Sequence, residues 1–239
     1  MSRSAPGVRS AVRQGVSVGL ATGAYGISFG ALSVAAGLDV WQTCVLSLLM
    51  FTGGSQFAFI GVIGAGGAGA AATATAALLG VRNSLYGLQM ASLLRPRGRW
   101  KPAAAHLTID ESTAVALAQP ADDLPARRAG FWATGLAVFS FWNLATLGGA
   151  LLGDVLGDPA RWGLDGAAAA AFLALLWPRL ARRQAQAIGV VAALVAAITI
   201  PLVPAGIPVL AAAAVTAVVA WFQYREPPHV RADEQEAPA

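Results

Sequence analysis

Charge is scarce in this sequence. Asp, Glu, Lys and Arg together make up 12% of its 239 residues, where a soluble domain carries about a quarter. So few ions cannot give a water-facing surface to a chain that is 56% hydrophobic. There is one cysteine, Cys44, which excludes an internal disulfide framework and a multi-cysteine metal site. With only two histidines, His106 and His229, a zinc site has almost no ligands to draw on. No cofactor is expected. The formal charge is +4, but the bases cluster between apolar stretches and form no basic face, so nucleic acid is not expected as a partner.

The missing charges leave long gaps. No Asp, Glu, Lys or Arg occurs in residues 14–38, 40–81, 129–153, 166–178 or 185–224. A spanning helix needs roughly 20 largely apolar residues, and two of these runs are long enough for two passes each. None alternates apolar with polar residues, as a membrane β-strand would. In lipid a helix satisfies its own backbone. The expected fold is therefore all-α, a polytopic transmembrane helical bundle of about seven spans, within a range of roughly 6–8.

Residues 1–14, with Arg3, Arg9 and Arg13, read as a cytoplasmic N-terminal segment. The apolar run that follows is too long for a signal peptide and lacks a good cleavage site, so it reads as a retained span. Residues 15–224 read as a single transmembrane permease domain, and the Pro- and charge-rich residues 225–239 as a disordered tail. The bases at 95–101 and 179–183 place those loops in the cytoplasm with the N-terminus. Asp39, residues 154–165 and the turn at 201–208 then face out. This orientation requires an odd number of crossings between Asp39 and Arg95, yet residues 40–94 look like two. Either one segment is re-entrant or three shorter passes share those residues. A stretch at 103–119, holding His106, Asp110 and Glu111, reads as amphipathic or partly buried, and 166–180 as a short Ala-rich helix.

Small residues recur in the first span at Gly19, Gly23, Gly26, Gly30, Ser33 and Gly37, a helical seam for close packing. Its partner is either another helix of the chain or a separate subunit. Gly30-Ala31-Leu32 is echoed by Gly149-Ala150-Leu151, which suggests candidate repeats at 15–119 and 129–224 of the kind many transporters contain.

Ionisable and polar groups inside apolar runs are candidate functional residues because they are costly there. Arg82 shares a helix face with Tyr86. It is expected to pair with Asp110 or Glu111, to bind a substrate carboxylate, or to reach the interface. Asp110 and Glu111 either titrate and bind an ammonium group or are solvated at a helix end. Thr52-Gly53-Gly54-Ser55-Gln56 marks a discontinuous helix near Gly53-Gly54, with irregular backbone at 52–56. A half-helix starting at about Ser55 would turn its positive end to an anion; the alternative is a glycine kink for close packing. Asn143 is expected to bond between helices.

Tyr25-Gly26-Ile27-Ser28-Phe29-Gly30, then Phe51-Thr52-Gly53-Gly54-Ser55-Gln56-Phe57, Val81-Arg82-Asn83-Ser84-Leu85-Tyr86-Gly87 and Leu107-Thr108-Ile109-Asp110-Glu111, in that order, resemble the AzlC family. That family comprises the large subunits of two-component branched-chain amino acid exporters. The resemblance runs from about Gly15 to Trp221. It implies a multi-pass permease of the bacterial cytoplasmic membrane, not an enzyme. It implies export of leucine, isoleucine and valine, with methionine a further candidate, and a small AzlD-type membrane subunit as partner beside the lipid. Gly53, Gly54, Ser55, Gln56, Arg82, Asn83 and Tyr86 are the expected substrate-binding residues, and Asp110 and Glu111 the ion-coupling ones. Asn83 stands where many members have His, so no proton relay is expected there. Two other readings compete: a non-transporting assembly subunit, and an intramembrane hydrolase using Ser55 and His106.

Overall fold

The computed structural model describes residues 4–156, 161, 173 and 176–225. Among them the secondary structure is helical, with no strand. The helices are α1 (Ser4–Ala35), α2 (Val40–Leu49), α3 (Gly53–Gly64), α4 (Gly69–Leu94), α5 (Trp100–His106), α6 (Asp110–Ala118), α7 (Leu124–Leu156), α8 (Arg183–Thr199) and α9 (Ile207–Arg225), with a 3₁₀ turn at Trp177–Ala181. The chain folds as two compact units, Met1–Trp177 and Pro178–Ala239.

The first unit has an aromatic and aliphatic core that also holds many polar side chains, and its exterior is apolar as well. Ser33, Thr43, Ser47, Ser55, Gln56, Thr75, Ser112, Thr134 and Thr146 are fully buried. Trp41 and Leu49 are 75% exposed and Val155 84%. A soluble domain buries such apolar side chains and leaves hydroxyls and amides in water; lipid favours the reverse. The segments Gly7–Ala35 and Leu124–Val155 are long and apolar enough to cross a bilayer, and shorter apolar helices accompany them.

The glycine seam of α1 packs on α7 of the same chain. The two helices run parallel: Gly15 faces Thr134, Gly19 faces Ala137, Gly23 faces Phe141, Gly26 faces Ala145 and Gly30 faces Gly149. A Cβ on Gly19 would lie 2.5 Å from that of Ala137, and one on Gly26 2.6 Å from the Trp142 carbonyl oxygen. On Gly30 it would overlap the Thr146 carbonyl, and on Gly149 the Ile27 carbonyl. Only bare backbones fit at these points, which makes the contact both close and continuous. The helix ends are locally encoded. Gly37 takes φ +97°, and the Leu38 amide bonds the Ser33 carbonyl at 3.1 Å, a left-handed stop to α1. Asp123 opens α7 by accepting from the Ala126 amide at 3.0 Å.

Between these two helices the chain makes two broken hairpins. Asp39 caps α2 at the carboxyl end of α1, accepting from the Gln42 amide at 2.7 Å. α2 stops at Leu49. α3 then returns, so that a Cβ on Gly64 would lie 3.2 Å from that of Ala36. α4 runs the whole length to the amino end of α7, where Arg128 Nε donates to the Leu93 carbonyl at 3.3 Å. α5 starts there, with Trp100 edge-on to Trp132. α6 comes back to the same end, where Gln119 Nε2 donates to Gln14 Oε1 at 2.9 Å. The hairpin tips meet halfway: Phe51 and His106 lie 5.7 Å apart by ring centroid, and both pack on Phe139. Each hairpin follows a full-length helix and enters from that helix's carboxyl end. Since α4 runs against α1, the hairpins come from opposite ends of the unit.

This arrangement makes α2 and α3 a return and α4 the one helix of residues 40–94 that runs the length of the unit. It also corrects several expectations. The irregular backbone is Met50–Thr52 rather than 52–56, and the half-helix restarts at Gly53, two residues before Ser55. Residues 103–119 are two helices, broken at 107–109. α1 and α7 extend beyond their uncharged cores, so most of residues 1–14, Arg127, Arg128 and Asp154 are helical. Asn143 bonds the Phe139 carbonyl of its own helix at 2.8 Å, not another helix. The Ala-rich stretch 166–180 lies mostly, and the tail from 226 wholly, outside the described residues.

Each break is stitched by a polar side chain in the first turn of its second helix. Gln56 Nε2 donates to the Met50 and Ser47 carbonyls at 2.7 and 3.2 Å. Ser112 Oγ donates to the Leu107 carbonyl at 2.7 Å and accepts from the Ile109 amide at 3.1 Å. Carbonyls left open where α2 and α5 end are thereby satisfied. In the second unit α8 and α9 form an apolar hairpin closed at Gly206, φ +93°.

Three substitutions test this architecture by thermal unfolding in detergent. Gly30→Ala should destabilise by about 1–3 kcal/mol through overpacking, whereas Gly148→Ala, which meets nothing within 4 Å, should be neutral or slightly stabilising. Gln56→Leu should lose about 1–3 kcal/mol by leaving buried carbonyls unpaired.

Candidate functional site

A cavity of about 250 Å³ lies where the hairpin tips meet α1, α4 and α7. It is smaller than drug-sized pockets, which start near roughly 300 Å³, and suits a small solute. Its walls are Thr22 and Tyr25 from α1, Phe51, Thr52, Gly53, Gly54 and Phe57 from the first hairpin, and Arg82 from α4. Ile109, Asp110 and Glu111 come from the second hairpin, and Val138 and Trp142 from α7.

One wall is a helix terminus. The first intrahelical bond of α3 is Gln56 amide to Thr52 carbonyl at 3.0 Å. The amides of Gly53, Gly54 and Ser55 come earlier and have no intrahelical acceptor. Thr52, in extended conformation, offers them no side-chain cap. The positive end of α3 is therefore bare where Gly53 and Gly54 reach the cavity. The glycines serve closeness rather than breakage. A Cβ on Gly53 would come 3.2 Å from Trp142 Cη2, and one on Gly54 3.1 Å from Arg82 Nη2.

The opposite wall is a second helix terminus with its own anions. Asp110 and Glu111 occupy the first turn of α6, where carboxylates suit the helix dipole. Arg82 Nη1 lies 3.1 Å from Asp110 Oδ2, and the two side chains are 29% and 22% exposed. The pair is partly buried. Of the readings open for Arg82, the ion pair is present. Asp110 and Glu111 line the cavity and are not at a solvated helix end.

Five of the nine expected site residues meet here: Gly53, Gly54, Arg82, Asp110 and Glu111. Ser55 is buried against α4 beside Gly80, and Gln56 stitches the break. Asn83 and Tyr86 do not line the cavity. Ser55 Oγ has no hydrogen-bond partner, while His106 packs on Phe51 and Phe139, so the serine and histidine a hydrolase would need are not paired. Trp142, Val138 and Thr22 carry no mark in the sequence, and Phe51, Phe57, Ile109 and Tyr25 stood there only as members of the family motifs; Trp142 is 96% buried with its indole Nε1 unpartnered.

The Arg82–Asp110 pair can be isolated by a double-mutant cycle read by thermal unfolding. Arg82→Met and Asp110→Asn should each destabilise, and the double variant should lose less than their sum by a coupling of about 0.5–3 kcal/mol, because either single change strands a charge.

The sequence pattern described as AzlC protein matches residues 17–156, more than half of the chain. The matched stretch runs from α1 to the end of α7 and contains every residue lining the cavity. No curated protein and no solved structure matches the chain. Together with the apolar exterior and the two long apolar helices, the match makes this a membrane protein with a transport-related function. The chain belongs to the AzlC family.

Proposed function

We propose that the chain is a secondary transporter that exports small zwitterionic aliphatic amino acids, namely leucine, isoleucine, valine and methionine, across the bacterial cytoplasmic membrane. The observation that carries this reading is one cavity with three chemistries. Bare amides at Gly53 and Gly54, with Arg82 beside them, suit a carboxylate. Asp110 and Glu111 face an ammonium group. Phe51, Ile109, Val138 and Trp142 supply apolar surface for an aliphatic side chain. Discontinuous helices whose ends meet a charged solute are a recurrent transporter solution.

In the bilayer α1, α4 and α7 cross, while α2–α3 and α5–α6 are re-entrant from opposite faces. Arg9, Arg13, Arg95, Arg97, Arg99, Lys101, Arg127 and Arg128 gather at the amino end of α1 and Asp39 at the other, which orients the basic end to the cytoplasm. One hairpin then separates the cavity from each side, and alternating access moves one or the other against the fixed α1–α7 pair. The small AzlD-type partner subunit is carried over from the family resemblance and belongs to the same proposal.

Efflux of labelled leucine from loaded proteoliposomes, with and without the partner subunit, tests this. Efflux should exceed the empty-vesicle control, and Gly54→Leu, which drives a side chain into Arg82, should lower it at least about tenfold, as loss of roughly 1.4 kcal/mol would. Gly61→Ala, with nothing within 4 Å, should behave as wild type. No efflux above control in any arm would reject the transporter.

A further inference from the structure

The two acids of the cavity are not equivalent. The ionisable groups on its wall are Tyr25 from α1, Arg82 from α4, and Asp110 and Glu111 from α6; the first hairpin and α7 contribute none. Arg82 and Asp110 neutralise each other at 3.1 Å. Tyr25 is neutral at ordinary pH. Glu111 is left over. Among the described residues no Lys, Arg or His nitrogen comes within 4.0 Å of its carboxylate. Arg82 acts on it only at longer range, and its own helix end and backbone amide favour a carboxylate there without neutralising it.

Resting on the transporter reading above, we propose that Glu111 is a single acceptor used in turn by the substrate ammonium and by a proton. While the cavity is open to water the extra charge is solvated. When a hairpin closes it off, an uncompensated carboxylate becomes prohibitive. Two partners can neutralise it outright. One is the ammonium of a zwitterion whose carboxylate sits on the Gly53 and Gly54 amides. The other is a proton. They exclude each other, since a protonated Glu111 has lost the charge that holds ammonium. In the exchange step the carboxylic acid gives its proton to water as the ammonium binds to the carboxylate, and no other reactant is needed. The closed cavity thus carries the amino acid in one direction and a proton in the other, and Asp110 keeps its pairing with Arg82 throughout.

Leucine binding to the full chain in nanodiscs, measured over about pH 5 to 8 and in weak buffer with a pH dye, tests this. Below the titration of Glu111 the affinity should fall by about tenfold per pH unit, with up to one proton released per leucine bound. Glu111→Gln should bind leucine weakly, without pH dependence and without proton release. Glu111→Asp should keep the release but move its midpoint, which decides the assignment even if the glutamine variant does not fold. Leucine binding that is intact but proton-silent at every pH overturns this proposal and leaves the transporter standing. Release that survives Glu111→Gln overturns it as well. No leucine binding at any pH overturns both.

Discussion

Backbone amides and carbonyls that end in the middle of a bilayer have no water to turn to. This chain ends four helices inside its first unit, the two arms of each hairpin, and nearly everything distinctive about it follows from how those ends are treated. The carbonyl ends of α2 and α5 are closed from within, by Gln56 and Ser112. The amide end of α6 carries its own carboxylates. The amide end of α3 is given nothing. A fold that satisfies three such ends and leaves the fourth open beside an arginine has left room for a ligand to complete it.

The open end is useful only if its surroundings hold still. The α1–α7 contact supplies that fixity, because a seam without side chains has no rotamers to relax and no slack to absorb a shift. Trp142 illustrates the link. Its backbone carbonyl lies against Gly26 in the seam, and its ring lies against Gly53 at the tip of α3. One residue thus ties the frame to the cavity wall. Buried hydroxyls of α2 and α7 also meet, Ser47 Oγ and Thr146 Oγ1 lying 3.4 Å apart.

Much of this was legible in the residues. Uncharged runs announced the helices, the glycine spacing announced the seam, and the basic clusters called for an odd number of crossings that left a return and three shorter passes both open. Arg82, Gly53, Gly54, Asp110 and Glu111 stood out because each is expensive or unusual in an apolar run. The second hairpin was hidden because its break, Leu107-Thr108-Ile109, contains neither glycine nor proline, and the polar residue that stabilises it, Ser112, looks like any helical serine. Trp142 and Val138 were hidden for the opposite reason: an apolar residue in an apolar helix carries no mark of which neighbour it faces. The echo of Gly30 at Gly149 relates two helices running the same way and packed on each other, whereas the opposed pair, α1 with its hairpin and α4 with its own, shares an arrangement more than a spelling.

The seam also has a history within each molecule's synthesis. The glycine face of α1 emerges from the ribosome more than a hundred residues before the face of α7 that fills it. At ordinary elongation rates the interval is on the order of ten seconds. During that time α1 sits in the membrane with an adhesive stripe uncovered, open to α1 of a neighbouring nascent chain. Correct biogenesis of this protein is therefore a race between its own seventh helix and its siblings.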